Sequence, residues 1–140
     1  HSVWTDILAD SLMSIIAPEQ FKLAHLSQQF ISFVLSQETK KLNVLYEQLE
    51  QAFNGEQSAI EYFIWYNAYG VRYGSGLSAS LPAFEFLTLK FADSEKAWSS
   101  LAQIWQAIGN KEKAIKYYQV ALKINPNADN IIEQIGLLTK

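Results

Sequence analysis

The stretch AWSSLAQIWQAIGNKEKAIKYYQVALKINPN, from Ala97 to Asn127, constrains the fold more than any other part of the sequence. Apolar residues recur there every three or four positions up to Ile108, Gly109-Asn110 interrupts them, and the same period resumes as far as Ile124. A helical period puts such side chains on one stripe. Gly109 can take the positive φ of a helix C-terminus, and Pro126 stops the second run. The pattern predicts two helices folded back on one another. Trp98, Leu101 and Trp105 share one face of the first, whereas Ala102 and Ala114 are small where antiparallel helices must approach closely.

The same period runs through the rest of the chain, and no segment alternates for long, so helices are expected almost everywhere and sheet nowhere. A first helix is expected over about Thr5–Ile16 and a second from Pro18, whose missing N–H suits a first turn, towards Ser36. A third covers roughly Glu38–Phe53 and stops at Asn54-Gly55. Ser58 and Glu61 have the spacing of a capping box, which starts a fourth helix that ends at Gly74-Ser75-Gly76. Ser80 is the expected cap of a fifth, with Pro82 in its first turn, reaching about Phe91. Asp93 or Ser94 caps the sixth, Gly109 closes it, and the seventh and eighth occupy about Lys111–Ile124 and Asp129–Leu138.

Composition narrows the function classes. Apolar residues make up 49% and charged residues 18%, a balance that folds rather than stays disordered. At 140 residues the chain is one domain in size and can bury roughly two-thirds of its extended surface. A net charge of −3 disfavours nucleic acid and anionic lipid as partners, and no apolar run approaches the roughly 20 residues of a membrane span. With no cysteine, disulfides and thiolate metal sites are excluded, and cytoplasmic and periplasmic settings fit equally. The start at His-Ser-Val, without methionine, is that expected of a fragment or a processed chain.

Trp98, Leu101, Ala102, Trp105, Ala114, Tyr118 and Pro126 stand at the offsets of a 34-residue helical repeat, and Glu95–Ala128 resembles a tetratricopeptide repeat (TPR). A degraded copy is expected upstream over about Phe63–Ser94, with Tyr69-Gly70 as its Leu-Gly pair, Tyr73 at the aromatic position, Gly76 at the turn, and Phe84 and Leu87 in its second helix. Ile132, Ile135 and Gly136 resemble the start of a third copy that serves as a C-terminal cap. The expected architecture is all-α: antiparallel hairpins stacked as a short TPR-like superhelix in one compact domain, with residues 1–57 as capping helices and 58–140 as repeats plus the final cap. Phe30, Phe33, Leu42 and Leu45 are expected against the aromatic face of the fourth helix.

The resemblance implies a non-catalytic module that binds a protein or peptide, or another domain of its parent chain, on a concave face built from the first helix of each copy. Its contact offsets fall on Lys96, Ser99, Gln103 and Gln106 in the good copy, Asn67 and Val71 in the degraded one, and Asn130 and Glu133 in the last. The carboxylate clamp of some family members needs Lys and Asn where Ser99 and Gln103 stand, so chaperone C-terminal tails are not the expected partner. HSVWTDILADSL also resembles the segment around the last catalytic residue of esterase-D-like α/β-hydrolases, some of which carry a repeat-bearing tail. That resemblance implies that His1 matches the triad histidine and that this chain is the accessory tail, the nucleophile and acid lying elsewhere. Pairing of the first helices between two chains, giving a homodimer, is a third possibility.

A search for chemistry finds no catalytic constellation, metal site or cofactor motif. His25 has no second ligand at metal-binding spacing and is expected on a polar or boundary face. Asp6 and Asp10 lie one turn apart, where the dipole favours acids without any ligand. YGSGLSAS, from Tyr73, meets neither phosphate-loop nor nucleophile-elbow spacing and is expected to be a turn. The aromatics from Tyr62 to Tyr73 are expected mainly in the core, with a ligand groove as the alternative. Lys111, Lys113, Lys116 and Lys123 form a solvated face.

Overall fold

The computed structural model describes Ser11 and residues 18–140; the helix expected over Thr5–Ile16 lies outside them. Among the described residues the regular elements are seven α-helices and there is no strand. They are α1 (Pro18–Leu35), α2 (Thr39–Ala52), α3 (Gln57–Ser75), α4 (Leu77–Lys90), α5 (Glu95–Ile108), α6 (Lys111–Ile124) and α7 (Asp129–Leu138). Consecutive helices pack in adjacent pairs, most closely α5 with α6 and α3 with α4, and α1 lies against both α3 and α4.

Local chemistry accounts for most boundaries. Asn54 and Gly55 both take positive φ after α2. Gly109 closes α5 at φ 97, and the Asn110 side chain accepts a 3.0 Å bond from the Lys113 N–H to open α6. Ser94 caps α5, its Oγ accepting from the Ala97 N–H at 3.2 Å. Two expected caps are not formed. α3 begins one residue before Ser58, and Glu61 turns instead to α5, where its Oε1 accepts a 2.6 Å bond from Ser94 Oγ. α4 begins at Leu77 because Gly76, at φ 103, turns the chain immediately after α3. Ser80 is thus buried inside the helix with its Oγ donating to Leu77 O at 2.7 Å, and Pro82 sits beyond the first turn.

The larger core joins five helices: Phe30 and Val34 of α1, Leu42, Leu45 and Leu49 of α2, Ile60, Phe63 and Ile64 of α3, Phe84 and Leu87 of α4, and Leu101 and Ile104 of α5. Each such side chain contributes on the order of 1.5–3 kcal/mol through burial. Phe63 packs against Phe53 with ring centroids 6.0 Å apart. A smaller cluster, Ala102, Ala114, Tyr118, Ala121, Ala128 and Ile131, holds α5, α6 and α7 together. Trp98 belongs to the margin of both: its ring stacks on Tyr117 at 5.8 Å, and its indole N–H donates to Ala92 O at 2.8 Å.

The upstream hairpin repeats the good one without gaps. Shifting the bounds of α4 by 34 residues gives those of α6, and shifting the start of α5 by the same step gives the start of α7. On this register Ile64, Asn67, Ala68, Val71, Ser80, Phe84 and Leu87 correspond to Trp98, Leu101, Ala102, Trp105, Ala114, Tyr118 and Ala121. All seven upstream residues are buried. The expected alignment, with Tyr69-Gly70 in place of Leu-Gly, is therefore two residues out: Asn67-Ala68 occupies that position. The asparagine is accommodated because its Nδ2 donates to Phe63 O at 2.8 Å, one turn back in its own helix.

Candidate functional site

Each residue of an α-helix is rotated about 100° from the last, so a two-residue slip moves a side chain to nearly the opposite face. The contact offsets assigned to α3 are affected directly. Asn67 and Val71, expected on the concave face, are 5% and 1% exposed and point into the core. On the ungapped register the positions equivalent to Lys96, Ser99, Gln103 and Gln106 are Tyr62, Trp65, Tyr69 and Arg72. The surface that results is aromatic rather than polar.

Hydrogen bonds between α3 and α5 fix that surface. The Trp65 indole N–H donates to Ser100 Oγ at 3.0 Å, and Tyr69 OH donates to Gln103 Oε1 at 3.1 Å. With the Ser94–Glu61 bond, they link residues 35, 34 and 33 positions apart, in step with the repeat. Lys96 Nζ lies 3.9 Å from the Trp65 ring centroid and 5.3 Å from that of Tyr62. Burial pushes the Tyr69 phenol above its ordinary value, so it stays a donor at neutral pH.

Beside these half-buried rings, Tyr62, Tyr66 and Tyr73 are 55%, 62% and 77% exposed. The aromatics of α3 are thus divided: Phe63 is core, and the tyrosines form a strip on the surface. Tyr62 and Tyr66 stack with centroids 6.1 Å apart, Tyr69 and Tyr73 at 6.2 Å, and the Arg72 guanidinium lies 4.5 Å from the Tyr73 ring. Tyr62, Trp65, Tyr66, Tyr69, Gly70, Tyr73 and Gln103 line an open cavity of about 640 Å³.

Of the remaining expected contact residues, Lys96 and Gln103 border this strip. Ser99 is half-buried with its Oγ on Lys96 O at 3.2 Å. Gln106 is held between neighbours, accepting from Tyr118 OH at 2.7 Å and donating to Gln134 Oε1 at 3.1 Å. Asn130 and Glu133 are exposed on α7. Tyr62, Trp65 and Tyr66 were expected mainly in the core, with a ligand groove as the alternative; their i, i+3, i+4 spacing places them on one stripe, opposite the buried Ile64 and Ala68.

His1, Asp6 and Asp10 lie outside the described residues. Among the described residues no group of three or more His, Cys, Asp or Glu side chains could hold a metal ion, and no helix is long and apolar enough to cross a membrane. His25 is exposed and meets Phe21 edge-on at 4.8 Å.

No curated protein matches the chain. Residues 95–128 match the family model of the tetratricopeptide repeat. That match, with seven helices among the described residues packed in adjacent pairs, fits a TPR-like helical-repeat domain.

Proposed function

We propose that this chain is a non-catalytic docking module whose α3 and α5 present a surface to a segment of another protein or of another domain of its own parent. The observation that carries the reading is the strip of exposed tyrosines at Tyr62, Tyr66 and Tyr73, rigidly backed by Trp65 and Tyr69. Large apolar rings left in water at helical spacing, rimmed by polar groups, are a property of binding surfaces, and tyrosine is enriched in interfaces. TPR repeats commonly bind proteins or peptides, which agrees with it. Lys96, Ser99, Gln103 and Gln106 form the α5 side of the surface in this reading, and Asn130 and Glu133 extend it towards α7. Residues 18–57 cover the opposite end of the stack.

Site-specific photo-crosslinking tests this. A crosslinking residue in place of Tyr66 is expected to capture a partner that the same residue in place of Val44, exposed on α2, does not. Combining Gln103→Ala with Lys96→Ala should weaken that capture. Equal capture from both positions, or capture unchanged by the pair of substitutions, would count against the surface.

A further inference from the structure

On the docking reading above, we infer that the segment received by the α3–α5 face is acidic at both ends and apolar between. Two cations bound the tyrosine strip: Lys96 at the Tyr62–Trp65 end and Arg72 at the Tyr73 end. Among the described residues neither forms an ion pair. Glu61, which precedes Tyr62, is engaged by Ser94, whose Oγ donates to its Oε1 at 2.6 Å. A cation lying over a ring uses only the ring's face, and its own N–H donors remain available to a carboxylate, bidentately in the case of Arg.

The geometry sets the spacing of the ligand's acids. Tyr62 and Tyr73 lie about 16 Å apart along the helix axis at 1.5 Å per residue. An extended chain covers that distance in about five residue steps at 3.3 Å each. The middle of the strip is apolar and notched: Gly70 is exposed between the Tyr66 and Tyr73 rings, with nothing within 4 Å of the place a Cβ would take. An apolar side chain of the ligand fits there. Tyrosine faces alone would equally attract lysines. The two unpaired cations decide for carboxylates.

The experiment compares two hexapeptides, Glu-Leu-Phe-Ala-Leu-Glu and Lys-Leu-Phe-Ala-Leu-Lys, each carrying a neutral dye at the N-terminus and an amide at the C-terminus. Fluorescence anisotropy with the whole chain is expected to show the acidic peptide binding roughly tenfold more tightly at low salt, with the gap narrowing as salt rises. The preference should vanish in the double variant Lys96→Gln with Arg72→Gln, whose helicity by circular dichroism confirms folding. Equal binding, or a preference for the lysine peptide, overturns the acidic inference and leaves the docking face in place. Binding of neither peptide also overturns it, and the Tyr66 crosslink then decides the docking reading separately. A preference that survives the double variant places the acidic site elsewhere and overturns the assignment to these cations.

Discussion

Gly70 sits in the middle of α3, where glycine costs about 0.5–1 kcal/mol relative to alanine, and an added Cβ would meet no atom within 4 Å. Gly70→Ala is therefore expected to stabilise the fold by about that amount, measured as a rise in the urea midpoint at unchanged slope. Tyr118 acts in the opposite direction at high pH. It is buried, and loss of hydration, with the nearby Tyr69 adding to it, pushes its phenol up from 10.0 to about 12. As pH rises the unfolded chain sheds this proton first, so stability present below the unfolded value near 10 is lost through the window up to about 12. Urea midpoints at about pH 9 and pH 11 should differ in that sense, and Tyr118→Phe should remove this part of the difference. Asn67 shows what single residues hid. A polar side chain at a leucine position disguised the upstream repeat, because nothing in the sequence says that the amide folds back onto the carbonyl of Phe63. The tyrosine strip was obscured with it, since the neighbouring Tyr69-Gly70 offered a closer imitation of the motif.

Helix ends were legible where several signals coincided and illegible where one stood alone. α6 and α7 have the bounds expected for them: Gly109, Asn110 and Pro126 each act locally and agree. The isolated Ser58–Glu61 pattern had no such support, and a partner distant in sequence, Ser94, took the glutamate. That makes Ser94 a joint between elements: one hydroxyl accepts from the first turn of α5 and donates to α3. Ser94→Ala should cost about 1–2 kcal/mol, at the upper end of cap losses because a charged hydrogen bond goes with the cap. A double-mutant cycle with Glu61→Ala separates the two parts, the coupling energy reporting the hydroxyl–carboxylate bond alone.

Across the whole molecule the apolar burial is uneven. The larger core ties α1 to α5, whereas α7 is held through one fully buried side chain, Ile131, and the alanine-rich cluster around Tyr118. A stack in which each hairpin touches only its neighbours opens from its weakest end. Hydrogen exchange of the native chain should accordingly show α7 exchanging fastest among these helices, α6 next, and the amides of α3 and α4 slowest. Uniform protection from α3 to α7 would mean that the two clusters behave as one cooperative unit. All-helical architecture was plain from periodicity alone; the uneven distribution of burial was not, because it depends on which helices α1 crosses.

The gapless 34-residue step has a practical corollary. Because α7 starts one full step after α5, a second cassette of residues 95–128 spliced directly behind Ala128 would hand the terminal helix the same seam that it already covers. The chain can in that way be lengthened hairpin by hairpin, each insertion extending the stack while the helices at either side of it stay as they are.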